Sequence, residues 1–73
     1  MRGALQLSLR QQECLARISG GESSAEIAAA LGLSRRTVDH YVGAACARLG
    51  VRTRAQAVAK AITLNLIPPY PII

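Results

Sequence analysis

The 73-residue sequence is short of large aromatic side chains, with two Tyr and neither Trp nor Phe. Without such rings, a hydrophobic core has to be thin and to form between closely approaching backbones. Ala, the residue of highest helix propensity, recurs along the chain, whereas β-branched residues are scattered. This composition favours one small domain of the all-α class and leaves no room for a second core.

Histidine and cysteine are too few for metal or catalytic chemistry. His40 is the only histidine, so neither a metal site nor a proton-transfer pair has a second member. Cys14 and Cys46 are far apart without partner ligands for zinc, and each falls on an apolar helical stripe, where a free Cys acts as a small buried hydrophobe. No nucleophile with a base, pair of carboxylates at useful spacing or Gly-rich phosphate loop occurs. We therefore expect no enzyme, no metal and no cofactor.

Long apolar runs are also missing. No stretch approaches the roughly 20 apolar residues that a membrane-spanning helix requires. Residues 1–9 lack the sustained apolar segment of a secretory signal peptide. We therefore expect no membrane association and a cytoplasmic location.

Acidic residues are scarce in the second half of the chain. Residues 1–34 carry three Arg and three Glu, which cancel, whereas residues 35–60 carry six basic residues against Asp39 alone. The net charge of +5 therefore belongs to residues 35–60. A concentrated basic region is the expected footprint of phosphate binding, although a solvated surface that aids solubility has the same composition.

Four helix starts are marked by hydroxyl residues that suit the N-cap position. The predicted N-caps are Ser8, Ser23, Ser34 and Thr53. Three of them are followed three residues later by Gln or Glu, which completes a capping box that satisfies two backbone N–H groups. The partners in these boxes are Gln11, Glu26 and Gln56.

Helix ends are marked by residues that tolerate the left-handed conformation. These are Gly20-Gly21, Gly32, Gly50 and Asn65. The predicted fold is therefore a four-helix domain with helices at residues 9–19, 24–31, 35–49 and 54–65. Residues 1–7 are predicted to be a flexible lead-in, residues 8–67 the domain, and residues 68–73 a Pro-rich apolar tail.

The third predicted helix has two different faces. One face is apolar and consists of Val38, Val42, Ala45, Cys46 and Leu49. The other face carries Arg35, Arg36, Asp39, His40 and Gly43. A short link, residues 32–34, joins this helix to the preceding one, as in a helix-turn-helix unit, whose second helix enters the major groove of DNA.

The cap, turn and core residues together form one pattern that extends over nearly the whole chain. They are Leu7 to Glu13, Gly21, Ser23, Glu26 to Ala28, Leu31 to Ser34, Thr37-Val38, Leu49 to Val51, Arg54, Ala57-Val58 and Leu66-Ile67. In this combination the chain resembles the LuxR-type (GerE-like) DNA-binding domain of bacterial quorum-sensing and response regulators. Sigma-factor region 4 shares the middle of the pattern, but residues 50–54 and a fourth amphipathic helix favour the LuxR type.

The resemblance implies a transcription regulator in the bacterial cytoplasm. Its third helix, residues 35–49, would lie in the major groove of double-stranded DNA. In the family the domain binds as a homodimer, commonly through the fourth helix. A sensor or receiver domain usually accompanies it, so this chain is either part of a longer regulator, without its N-terminal sensor domain, or a stand-alone protein.

One departure from the family pattern changes the chemistry of the third helix. After Thr37-Val38 the family usually has Lys, a variable residue and His, whereas this chain has Asp39, His40 and Tyr41. Phosphates repel a carboxylate, but Asp39 has two other roles open to it. It can accept from the N4 amine of cytosine, or it can bind within the chain, for example to Arg35 or Arg36.

Two groups of residues are predicted to contact DNA. The candidates for reading base edges are Arg36, Asp39, His40 and Gly43. The candidates for contacting phosphates are Ser34, Arg35, Arg36, Thr37, Arg52 and Arg54. Backbone N–H groups in the first turn of a helix attract phosphate as well. The alternatives are a solvated charged face for the arginines, an N-cap role for Ser34 and a local backbone hydrogen bond for Thr37.

The fourth helix is the candidate dimer contact. Its predicted dimerisation residues are Ala57, Lys60, Ala61 and Leu64. Small residues let two backbones approach closely, although the same pattern also suits a helix that packs only on its own core.

A second class of function remains open at the level of the sequence. Asp39 and Ala44 occupy positions where the family usually has Lys and Asn, both of them polar. The chain is therefore also compatible with a helix-turn-helix protein-interaction module that has reduced DNA affinity and binds another regulator.

Overall fold

The computed structural model of the protein describes residues 5–69. It contains four α-helices, α1 (Leu9–Ser19), α2 (Ser24–Leu31), α3 (Arg35–Leu49) and α4 (Arg54–Thr63). This confirms the predicted all-α, four-helix class, and no strand occurs in this part of the chain. The only shifted boundary is the end of α4, two residues earlier than predicted. Leu64 is the cap there, and Asn65 adopts the left-handed conformation with φ 59°.

The predicted caps are present at all four helix starts. Ser8 Oγ accepts from the Gln11 backbone N–H at 3.1 Å, and the Gln11 side chain accepts from the Ser8 N–H at 2.9 Å. The same reciprocal boxes occur at the starts of α2 and α4. Because these bonds satisfy N–H groups that have no partner inside a helix, each helix begins at a residue determined by its own local sequence.

Glycine residues end α2 and α3 with positive φ angles. Gly32 has φ 68° and Gly50 has φ 71°, a region that side chains with a Cβ rarely adopt. Each of these glycines is the C-cap of its helix, and the next helix begins within four residues.

The first of two hydrophobic clusters joins α1, α2 and the first half of α3. We call it the helix-turn-helix cluster, and its buried members are Cys14, Ile27, Ala28, Val38 and Val42. Ile27 and Val38 are fully buried. Burial also raises the pKa of the Cys14 thiol, with a smaller contribution from the neighbouring Glu13 carboxylate, so this cysteine stays a neutral, apolar core residue as predicted.

The second cluster joins the two ends of the described chain. We call it the terminal cluster, and its buried members are Leu7, Leu15, Ala45, Leu49, Ala57, Ala61 and Ile67. Ile18 and Cys46 pack against both clusters and connect them. The terminal cluster holds α4 against α1 and the second half of α3.

The predicted flexible lead-in is corrected for residues 5–7. Leu7 is buried in the terminal cluster, and Leu5 packs against it. Gln12 Nε2 donates to the Leu7 carbonyl at 2.9 Å, and Arg48 Nε donates to the Gln6 carbonyl at 3.1 Å. Residues 5–7 are thus a packed, non-helical part of the domain that a search for helical periodicity does not detect. Residues 1–4 lie outside the described residues.

The predicted tail begins after a buried residue. Ile67 is buried in the terminal cluster, whereas Pro68 and Pro69 are exposed. The remainder of the tail, residues 70–73, lies outside the described range. Between residues 5 and 69, no helix combines the length and apolar character needed to cross a membrane.

Candidate nucleic-acid interface

A three-residue link positions the start of α3 at the surface. The Leu33 N–H donates to the Ala28 carbonyl at 2.9 Å, which closes the end of α2 as Gly32 turns the chain. Ser34 then caps α3, so Arg35 and Arg36 lie in its first turn, and both are exposed. The positive end of the α3 dipole and two arginine residues therefore lie at the same end of the helix.

The apolar face of α3 is buried and its polar face is exposed, as the periodicity predicts. Val38, Val42, Ala45 and Leu49 are buried, and Cys46 is half-buried. On the opposite face, His40 and Gly43 are exposed, and a Cβ added at Gly43 would have no atom within 4 Å. The polar face is thus open at its centre, with no side chain between the backbone and an incoming partner.

Asp39 is bound within the chain, but to different partners from those expected. Ser24 Oγ donates to Asp39 Oδ1 at 2.7 Å, and Arg54 Nη2 donates to the same oxygen at 3.3 Å. Arg54 Nη1 donates to Ser24 Oγ at 2.9 Å, which closes a ring of three hydrogen bonds. Arg35 and Arg36, the partners considered from the sequence, form no ion pair with this carboxylate.

The environment of Asp39 favours its ionised form. The hydrogen bond from Ser24 is the largest contribution that lowers the pKa of Asp39, followed by the bond from Arg54 and the charges of Arg54 and Arg35. A hydrogen bond or positive charge directed at a carboxylate stabilises the charged state. Ser24 itself is only 8% exposed, so its hydroxyl depends on these two partners.

Sequence reasoning missed Ser24. It lies 15 residues from Asp39 and 30 residues from Arg54. Nothing in the sequence around Ser24 indicated a separate role for it, because the adjacent Ser23 already serves as the N-cap of α2. Only the packing of α2 and α4 against α3 brings the three residues together.

The two hydroxyl residues at the start of α3 are engaged locally. Ser34 Oγ accepts from the Thr37 N–H at 3.0 Å and lies 2.9 Å from Thr37 Oγ1. The N-cap role considered for Ser34 is therefore present. For both residues, a contact with phosphate stays a prediction.

Two basic residues lie at the link between α3 and α4. Arg52 is exposed, and its backbone N–H donates to the Gln56 side chain at 3.0 Å. Arg54 is the first residue of α4, so the hydrogen-bonded ring described above connects this link to α3. Arg54 therefore lies beside the first half of α3, in contact with Asp39.

The predicted dimerisation residues divide into buried and exposed ones. Ala57 and Ala61 are completely buried in the terminal cluster, so they cannot provide contact area for a second chain, and the prediction is corrected for these two. Lys60 Nζ donates to the Leu49 carbonyl at 2.8 Å, where it complements the negative end of α3. Leu64 is 43% exposed and remains a candidate contact.

The four-helix arrangement, with a capped and exposed α3 after a three-residue link, defines a helix-turn-helix domain of the DNA-binding class. A family model described as bacterial regulatory proteins, luxR family, matches residues 5–61. The chain belongs to this family, and it is a LuxR-type DNA-binding domain of a transcription regulator.

Several named proteins resemble the chain. It is 42% identical over 64 residues to the transcriptional activator protein VanR of Vibrio anguillarum. The match covers 88% of this chain and 27% of VanR. It is 40% identical over 65 residues to the transcriptional activator protein LuxR of Aliivibrio fischeri, covering 88% of this chain and 26% of that protein. The chain thus spans about a quarter of the length of these relatives.

A solved structure has the same fold. The transcription factor GerE superposes with a TM-score of 0.81 at 26% identity, over 84% of this chain and 91% of GerE. The fold derived from caps, turns and clusters is therefore that of a known transcription factor domain.

Proposed function

We propose that α3 enters the major groove of double-stranded DNA and that its outer face reads base edges. The observation that carries this proposal is the exposed face formed by Arg36, His40 and Gly43, with open space above Gly43. A major groove admits one α-helix, and side chains on its outer face then reach the bases. Two copies on a symmetric site would read half-sites about one helical turn apart.

We propose that Arg35, Arg52 and Arg54 contact phosphates on either side of this face. All three are exposed, and Arg35 lies beside the free N–H groups of the first turn of α3. Phosphate contacts place a protein on DNA without reading its sequence. They also make the affinity depend on salt, because each contact releases condensed counterions.

A salt titration tests the proposal directly. Binding of the domain to a mixed-sequence duplex should weaken steadily as salt is raised, and selection from random oligonucleotides should yield a preferred site. Arg35→Ala should weaken binding to all sequences and reduce the slope of log K against log salt by about one unit. Arg10→Ala is the matched control, because it removes the same charge from α1. The absence of any salt-sensitive binding by the unmodified domain would contradict the proposal.

A second candidate function is a protein-interaction module with reduced DNA affinity. It is favoured by one observation, the exposed Asp39 carboxylate on the face that would meet phosphates. The same salt titration separates the two functions. If the domain is a protein-interaction module, the unmodified domain should bind mixed-sequence DNA no better than its Arg35→Ala variant does.

We infer that the domain forms homodimers through the exposed side of α4 and the Leu64 cap that follows it. Leu64 and Leu9 are the two large apolar residues most exposed on the described surface, at 43% and 79%. Leu64→Ser should weaken self-association in sedimentation equilibrium, whereas Leu9→Ser, on α1, serves as the control. Equal effects of the two variants would exclude a specific contact by α4.

We propose further that the domain acts in the bacterial cytoplasm as part of a quorum-sensing or response regulator with an N-terminal sensor domain. The support is the length of VanR and LuxR, both named transcriptional activators, of which the chain covers 27% and 26%. The proposal assigns DNA binding to this domain and no catalytic step to any of its residues. Sequencing of the gene upstream of residue 1, with a test of the encoded protein for signal-dependent DNA binding, would establish or exclude the sensor.

A further inference from the structure

The ring formed by Ser24, Asp39 and Arg54 connects three helices at the candidate interface. Ser24 is the first residue of α2, Asp39 lies in the second turn of α3, and Arg54 is the first residue of α4. We propose that Asp39 is a positioning residue: together with Ser24 it holds the Arg54 guanidinium beside α3, where Arg54 contacts a phosphate, and Asp39 itself reads no base. This inference rests on the proposed binding of DNA.

The burial of Ser24 argues against any base contact that would turn Asp39 away from it. The Ser24 hydroxyl donates its only proton to Asp39 Oδ1 at 2.7 Å, and the residue is only 8% exposed. If Asp39 turned towards a cytosine amine, this hydroxyl would lose its acceptor in a place that water reaches poorly. An unsatisfied buried polar group is costly, so the carboxylate is better retained where it is.

Arg54 keeps enough free donors to bind a phosphate while it is held. A guanidinium carries five N–H groups, and the ring uses one on Nη1 and one on Nη2. The side chain is 43% exposed, so its remaining N–H groups have access to a partner outside the protein. A phosphate contact can therefore be added to the ring without breaking it.

Holding the side chain in advance has a direct effect on binding. A free arginine loses rotamer freedom when it contacts DNA, and an arginine that is already oriented loses less. Asp39 thus compensates in part for its own unfavourable charge. The favourable contribution of Asp39 to DNA binding should then depend on the presence of Arg54, whereas the repulsion between its charge and the phosphates should not.

The test compares Asp39→Asn with Asp39→Ala in two backgrounds, with Arg54 present and with Arg54→Ala. Both variants remove the same charge, but Asn retains an oxygen that accepts from Ser24 and Arg54. The probe is a mixed-sequence duplex, on which base reading contributes nothing. With Arg54 present, Asp39→Ala should bind about two- to five-fold more weakly than Asp39→Asn, in line with the modest net contribution of a hydrogen bond. In the Arg54→Ala background the two affinities should be equal.

The Arg10–Glu13 ion pair is a matched control. Its side chains are 41% and 48% exposed, against 43% and 47% for Arg54 and Asp39. Glu13→Gln and Glu13→Ala should bind the duplex equally, with or without Arg10. A difference there would mean that the measurement responds to any altered ion pair, and it would overturn the inference.

Three other outcomes overturn the inference while leaving DNA binding intact. One is an unchanged ratio between the Asp39 variants after removal of Arg54. Another is equal affinity of the two variants when Arg54 is present. The third is a selected-oligonucleotide profile of Asp39→Ala that differs from that of the unmodified domain at a single base pair, which would identify Asp39 as a base reader. If the unmodified domain shows no salt-sensitive binding, the proposed function fails and this inference fails with it.

A measurement without DNA checks the positioning itself. The Arg54 Nε–H group should give an ordered side-chain signal in relaxation measurements by nuclear magnetic resonance. Its order should fall in Asp39→Ala and in Ser24→Ala and be largely retained in Asp39→Asn. Thermal unfolding monitored by circular dichroism verifies that each variant is folded. Unchanged order of Arg54 in a folded Asp39→Ala variant would overturn the inference.

Discussion

The two hydrophobic clusters differ in how much of the chain each one brings together. The helix-turn-helix cluster joins Cys14 to Val42, whereas the terminal cluster joins Leu7 to Ile67. Closing a longer loop costs more conformational entropy, so the terminal cluster depends on the nearly complete chain. The candidate interface is thus built on the local cluster, and the long-range cluster adds α4, and with it Arg54, to that interface.

The largest effect should come from removing one isoleucine from either cluster. Ile27→Ala and Ile67→Ala should each cost about 2–5 kcal/mol of unfolding free energy, because both residues are buried. The Ile27 variant should lose stability near the upper end of this range, because α1, α2 and α3 surround the cavity that Ala leaves and keep it from closing. Ile67 follows the last helix, where the chain can adjust. Urea denaturation monitored by circular dichroism measures both, and a larger loss for Ile67→Ala would reverse the comparison.

The next effect distinguishes the N-cap of α3 from the N-cap of α1. Ser34→Ala and Ser8→Ala should each lower stability by about 1 kcal/mol, because each removes an acceptor for an N-terminal N–H group. Only Ser34→Ala should also weaken DNA binding under conditions where both variants are fully folded. Equal DNA affinities would indicate that the start of α3 does not lie against the nucleic acid.

A smaller effect is expected at the exposed centre of α3. Gly43→Ala should stabilise the fold by roughly 0.5–1 kcal/mol, since glycine is unfavourable inside a helix and the added methyl meets nothing within 4 Å. The same methyl should weaken binding to the preferred DNA site, because it fills the space that a base edge would approach. Stability and affinity thus change in opposite directions. An unchanged affinity would place the groove elsewhere on the molecule.

The smallest effect is a pH dependence of the stability that Asp39 contributes through its bonds to Ser24 and Arg54. The pKa of Asp39 in the folded protein lies below its ordinary value of 3.8, chiefly because Ser24 donates to the carboxylate. The stabilising contribution is therefore complete above that ordinary value and is lost as the pH falls through the folded value. The stability difference between the unmodified domain and Asp39→Asn should shrink when both are measured well below pH 3.8 instead of near neutrality. A constant difference would show that the carboxylate charge contributes nothing.

Much of the fold could be predicted because its signals are local. Each capping box acts over three residues, and each helix-ending glycine acts on its own φ angle. The two faces of α3 follow from its 3.6-residue period. The exposed members of the candidate site, such as Arg36 and His40, could be placed in the same way.

The remaining features depend on contacts that no local pattern indicates. Leu7 has no helical period around it, so its burial in the terminal cluster was not predicted. The small-residue face of α4 suits either a partner or the chain's own core, and the packing of Ala57 and Ala61 selects the core. Family resemblance suggested the dimer contact but not which side of the helix is available for it.

The sequence by itself determined where each helix begins, where α1, α2 and α3 end, which face of α3 is polar and which family the chain belongs to. These properties depend on groups within a few residues of one another, or on the pattern as a whole. Only the tertiary structure decided what Asp39 contacts. Its partners Ser24 and Arg54 lie 15 residues away on either side, and they meet it only because the two hydrophobic clusters pack α2 and α4 against α3.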